Sequence, residues 1–211
     1  MQYYLEPTVT VGKNVIIQPF AVVKGNTVLE DGCVVESFSY LDNAHVGKNT
    51  EIRSSRITDS TVGKDCTVGP NAHIRQGSVV GDNCRIGNYV ELKNSTLGNG
   101  TKASHLAYIG DATVGKNCNI GCGVIFVNYD GKHKHHTNVG DNCFIGCNTN
   151  LVAPLEVGSG CYIACGTTVD SNLPAGAFSI GRSYLTVKEN RAEKYLSHHA
   201  DSHTATIEGS I

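Results

Sequence analysis

Tryptophan is missing from this 211-residue chain, and aromatic residues make up only 7% of it. That excludes a core built from large rings. Glycine, by contrast, occurs 24 times, a composition suited to many tight turns around an interior of Val, Ile and Leu. A dominant charge is lacking too. The formal net charge is −2, so no broad basic field favours nucleic acid or an anionic membrane surface. No apolar run approaches the length of a membrane span. The first residues, Met1 to Asn14, carry neither the basic nor the apolar segment of a secretory signal. None of the nine cysteines stands in a CxxC pair. A cytoplasmic protein with reduced thiols is the expectation.

What is present is a repeat. Val139, Ile145, Leu151, Val157, Ile163 and Val169 place an aliphatic residue at every sixth position, and so do Val62, Val68, Ile74, Val80, Ile86 and Leu92. Between them the register slips to Leu97, Ala103 and Ile109, and again to Val114, Ile120 and Phe126. A helix has period 3.6 and a strand period 2, so neither ordinary element explains a period of six. Period six with frequent Gly beside the aliphatic resembles the hexapeptide-repeat family, in which three hexapeptides form one triangular coil and successive coils pair in parallel. The left-handed winding comes from that resemblance and runs against the usual right-handed crossover.

Grouping by threes gives an all-β, left-handed parallel β-helix of about nine coils, starting near Val11, Val28, Val46, Val62, Val80, Leu97, Val114, Val139 and Val157. Residues 1–175 form the β-helix and 176–211 a tail, of which Val187 to His199 reads as a short helix capping the last coil. One interruption, 129–138, must protrude as a loop, with no evident partner on its own subunit.

In a solenoid, equal positions of successive coils stand one above another. Two residues beyond the aliphatic of the second side, that rule stacks His105, Cys122, Cys147 and Cys165 into a column. One residue beyond the aliphatic of the third side, it stacks Arg75 on Lys93, and Asn128 follows one coil after His105. These features are expected to converge on one edge. There a general base would sit between a phosphate-holding cation pair and a groove of small side chains. Cys66, Cys84, Cys118, Cys143 and Cys161 share a different slot, four residues after the first-side aliphatic, with Thr101 filling it once. They read as small hydrophobes packed in a corner. Thiols in a line do not make a tetrahedral zinc site, so no metal is expected.

The runs Lys102 to Ala112, Asn119 to Gly123, Asn128 to Gly131 and Leu151 to Pro154 resemble the C-terminal half of the bifunctional N-acetylglucosamine-1-phosphate uridyltransferase/glucosamine-1-phosphate acetyltransferases. The resemblance runs from about Tyr4 to about Lys188. It implies that His105 is the general base, that Arg75, Lys93, Tyr108 and Asn119 bind the amino-sugar phosphate, and that Asn128 and Tyr129 contact the acetyl end of acetyl-CoA. Cys122, Cys147, Cys165 and Arg182 fall at further CoA positions. Lys134 matches a loop lysine that reaches a neighbour's site in the family's trimers, or else is a solvated loop charge. The product would be N-acetylglucosamine 1-phosphate, on the way to UDP-N-acetylglucosamine. A homotrimer with small-molecule substrates is implied. No Gly-rich phosphate loop precedes the coils, so uridylyl transfer is not expected.

This sequence departs from the family in placing Cys at all three groove positions, usually Ala or Ser, and in Gln76, where Pro is common. Three other readings stay open. One is acetylation of another amino sugar or of a nucleotide sugar, since substrate contacts vary most within a fold. Another is a scaffold that has lost activity. The third, a zinc-dependent carbonic anhydrase of the same fold, is weakened because His133, His135 and His136 cluster on one loop.

Overall fold

In the computed structural model, residues 2–192 are described. They wind into a parallel β-solenoid of triangular section, built of strands two to four residues long and two of seven, Tyr40–Val46 and Arg56–Val62, that run on from one face into the next. The winding is left-handed. Ten strands line the second face, from Ile16–Ile17 to Phe178–Ser179, each pairing in parallel with the next. That makes one more level than the nine coils counted from the sequence.

The six-residue period becomes structure in a direct way. Each aliphatic residue points inward over its counterpart in the coil below, as Ile120, Ile145 and Ile163 do. All three are buried, along with Ile109, Leu151 and Phe126, the single interior ring among the described residues. One start differs from the sequence reading. Leu29 is the fully buried residue that pairs with Val46, while Val28 beside it is only half-buried. The corners need a left-handed backbone. Asn49, Asn83, Asn117 and Asn142 supply it at one corner, with φ between 55° and 57°, a conformation that Asn tolerates better than most residues.

The corner cysteines prove to be more than small hydrophobes. The thiols of Cys66, Cys84, Cys118 and Cys143 donate to carbonyls of the next coil at 3.1–3.3 Å. Thr50 and Thr101 do the same with hydroxyls at 2.7 Å. The slot therefore selects a small donor that ties one coil to the next. Cys33 belongs to it as well, donating to Gly47, and escapes the sequence count because its coil is set by Leu29.

The tail departs from expectation. The strand Phe178–Ser179 carries the stack past residue 175. Residues 187–192 hold no helix, and the rest of the expected helix, 193–199, lies outside the described residues. Among the described residues no helix is long and apolar enough to cross a membrane.

The 129–138 loop is anchored to its own subunit, contrary to expectation. Tyr129 and Lys134 form an antiparallel bridge, and His135 N donates to Asn128 O at 2.8 Å. His136 Nε2 lies 3.0 Å from Thr113 Oγ1. Asp130 accepts from the backbone of His133 and Lys132 and lies 2.7 Å from His135 Nε2. Those bonds hold its carboxyl well below the usual carboxylate range.

Candidate active site

The outer surface of the second face forms a trough. Its floor is the column one residue beyond each aliphatic: Gly69, Gly87, Ser104, Gly121, Gly146 and Ala164. These residues are small because the coils press together there. A Cβ on Gly87 would meet Ser104 O at 2.0 Å, and one on Gly146 would meet Cys165 N at 2.5 Å. Six levels at one strand spacing make the trough about 24 Å long.

One wall is the stacked column expected from the sequence. His105 pairs with Asn88 below it, and the backbone bonds Gly123 N→Leu106 O, Asn148 N→Cys122 O and Gly166 N→Cys147 O carry the register upward. Cys122 is half-buried, while Cys147 and Cys165 are exposed. His105 itself is exposed and precedes Leu106, which takes a left-handed φ of 43°. That conformation is costly for a bulky residue and turns the chain sharply at the site.

The opposite wall was not read from the sequence. It is the column one residue before each aliphatic, and its character changes along its length. At the upper levels Phe144, Tyr162 and Phe178 stack, with ring centroids 4.7 and 5.7 Å apart. With Cys147, Cys165, Ala164 and Arg182 they enclose a cleft of about 380 Å³. Arg182 Nη1 lies 3.2 Å from Cys165 Sγ and 3.3 Å from Cys165 O, so the guanidinium closes the upper end. Asn119 stands on this same wall, beside the level of His105. The signal that could have found it is the position preceding each second-side aliphatic, where Phe, Tyr and Phe recur.

The remaining candidates lie around the corner, on the third face. Arg75 Nη1 donates to Glu91 Oε1 at 2.7 Å, and Lys93 Nζ lies 4.0 Å from Asp111 Oδ2. Asp111 is the hub. It accepts from Asn94 Nδ2 at 2.8 Å and from Asn128 Nδ2. Burial opposes its ionisation, but these bonds and the charges of Lys93 and Lys134 outweigh it and hold the carboxyl below its ordinary value. The Tyr108 ring lies over Gly110, where a Cβ would meet its hydroxyl at 2.4 Å. The hydroxyl thereby comes within 3.5 Å of Asn128 Nδ2. Lys134 lies close enough to Lys93 for that neighbour and its charge to lower its pKa. Two ammonium groups so placed make a ready anion site. Within the single chain Lys134 is thus near Lys93 and Asp111. Tyr129 is exposed at the same end and donates to Gly131 O at 2.7 Å.

The candidates lie on two adjacent faces that meet at the Leu106 corner. His105, Asn119, Cys122, Cys147, Cys165 and Arg182 share the trough. Arg75, Lys93, Tyr108, Asn128 and Lys134 share the third face, around the corner that Leu106 makes after His105. Among the described residues no three His, Cys, Asp or Glu side chains converge on a point that could hold a metal.

This architecture matches known proteins. Just over half of the chain, residues 8–43, 59–94 and 136–171, fits the family described as bacterial transferase hexapeptide (six repeats). The chain belongs to that family. The protein named bifunctional protein GlmU from Clostridium acetobutylicum is 49% identical over 191 residues, which is 90% of this chain and 42% of that protein. Its namesake from Clostridioides difficile is also 49% identical, with the same coverage. The chain therefore spans less than half the length of these relatives, and the match falls in their C-terminal part. Among solved structures, the Arabidopsis UDP-N-acetylglucosamine acyltransferase superposes with a TM-score of 0.53 over 84% of this chain and 69% of its own, at 17% identity. That last likeness is one of fold.

Proposed function

We propose that this chain is an N-acetyltransferase that moves the acetyl group of acetyl-CoA to the amine of glucosamine 1-phosphate, without uridyltransferase activity. The observation that carries the reading is the position of His105 midway along a single trough. Above it runs a cleft walled by thiols and stacked rings and ended by an arginine, a fit for a slender apolar arm with an anionic end. The thioester of acetyl-CoA would then stop beside the imidazole. The neutral ring takes a proton as the amine attacks the thioester carbonyl. The tetrahedral intermediate expels CoA thiolate, and the imidazolium returns the proton to it.

The division between faces bears on assembly. In glucosamine 1-phosphate the amine and the phosphate sit on neighbouring ring carbons, so the base and the cations that hold the phosphate must act within a short span of each other. A neighbouring subunit packed on the trough would add groups of its own beside the base. We infer a homotrimer with a site at each interface, composed in part from the neighbour. Unpaired cysteines at every position fit a cytoplasmic setting.

Release of free thiol from acetyl-CoA, measured with glucosamine 1-phosphate against a panel of amino sugars and their phosphates, tests the reading. It predicts turnover with glucosamine 1-phosphate above the rest. Background release with every acceptor, from folded and correctly assembled protein, would exclude it.

A further inference from the structure

Of the residues given a role above, His105 alone lines the lower half of the trough, on its N-terminal side. There Arg53, Thr67, Gly69, Pro70, Arg85, Gly87, Asn88, Ser104 and His105 enclose a second cleft of about 340 Å³. Arg85 of its lining lies in the column of Asn119 and pairs directly with Lys102 on the adjacent strand, just above the cleft. Like charges placed opposite each other on a sheet destabilise it. No ion pair among the described residues involves either side chain. The third-face cations differ, since Arg75 and Lys93 each have a carboxylate. At the cleft's far end Arg53 is engaged by Glu51. Its Nε is nonetheless buried with no hydrogen-bond partner, and the nearest acidic oxygen there, Glu36 Oε1, stands 3.9 Å away. The glycine floor brings backbone close to anything lying between the walls.

We propose that this cleft is an anion subsite for a phosphate ester or diphosphate, held by Arg85 and Lys102 within reach of the imidazole of His105. The two residues stand one strand spacing apart at the backbone, about 4.8 Å, so both flexible side chains can reach a single phosphate or a diphosphate. An anion between them relieves their mutual repulsion and gains charge-assisted hydrogen bonds from both. The consequence for substrate class rests on the acetyltransferase reading. With the donor arriving from above and this subsite below, the trough accepts amino sugars carrying a diphosphate as well as a single phosphate.

The test is calorimetric titration of the full chain with inorganic pyrophosphate in metal-free buffer. Wild type is compared with Arg85→Ala/Lys102→Ala and with Arg75→Ala/Lys93→Ala, after thermal unfolding has shown that all three fold alike. Loss of two charged hydrogen-bonding partners predicts that pyrophosphate binds the first variant at least about tenfold more weakly, while the second retains trough binding. Equal affinity of wild type and Arg85→Ala/Lys102→Ala overturns the proposal, as does absence of pyrophosphate binding to wild type. Binding lost in that variant, in a protein that transfers no acetyl group, upholds the subsite and sinks only the acetyltransferase reading.

Discussion

The second and third faces of this prism both carry polar side chains beside His105, but they are organised in opposite ways. On the third face the cations are already answered. Glu91 holds Arg75, Asp111 holds Asn94 and Asn128 and lies beside Lys93, and Lys134 leans in from the loop. On the second face the trough is open, with exposed thiols, stacked rings and, in Arg85 and Lys102, two cations outside any ion pair among the described residues. A network whose members fix one another is suited to holding a substrate in one pose. An open trough with an unengaged base is suited to chemistry and to the passage of a long cofactor. The solenoid permits both because each column of its surface can be assigned separately while the aliphatic interior stays the same.

The largest effect should follow from removing the base. His105→Ala is expected to lower kcat by about two to four orders of magnitude while CoA still binds, as steady-state kinetics and calorimetry would show. Unchanged turnover would mean that the chemistry lies elsewhere. Next, filling the upper trough with Cys147→Trp should raise the KM for acetyl-CoA strongly and leave that of the acceptor nearly unchanged. An equal rise in both would dissolve the distinction between the two faces.

The third face has its own pH signature. Because Lys93 lowers the pKa of Lys134, Lys134 loses its charge as pH rises through that lowered value, before an ordinary lysine with a pKa of about 10.4 does. An anion between the two favours the charged form. Sulfate, whose own charge does not change in this range, should therefore bind more weakly as alkaline pH rises, by at most about tenfold per pH unit for one linked proton. Lys134→Met should flatten the profile, and a profile identical to wild type would place Lys134 outside the anion site. The smallest effect is expected in the corner slot. Cys143→Thr should change stability by no more than about 1 kcal/mol, since Thr50 and Thr101 already make the same bond to the next coil. A large loss in thermal unfolding would show that the slot needs sulfur.

Period six made the fold legible, because each aliphatic residue must meet the interior once per side. The same arithmetic stacked His105 on Cys122, Cys147 and Cys165 correctly, since coil position alone decides which residues are neighbours along the axis. It says less about what lies across a face. Asn128 and His105 follow each other closely in coil order but stand at opposite ends of the third-face strands. The wall of Phe144, Tyr162 and Phe178 went unread for a different reason, as its rings occupy outward positions that no burial pattern marks. Lys134 was illegible because its loop leaves the repeat, and its turn is set by Asp130. The helix expected at Val187 rested on local sequence alone. No apolar face of the solenoid is offered to residues 187–192, all of which are exposed.

The central claim is that the second-face trough above His105 is the path of the acetyl donor, and its cysteines allow it to be tested directly. Cys147 and Cys165 face the trough, whereas Cys143 and Cys161, four residues before them, are buried in the corner, where desolvation pushes the Cys143 thiol up. Thiolate formation and access together set the rate of alkylation. Iodoacetamide labelling mapped by mass spectrometry, with and without CoA, should modify Cys147 and Cys165 first, and CoA should protect them. If these two label no faster than Cys143 and Cys161, or if CoA leaves their rates unchanged, the donor does not lie in the trough.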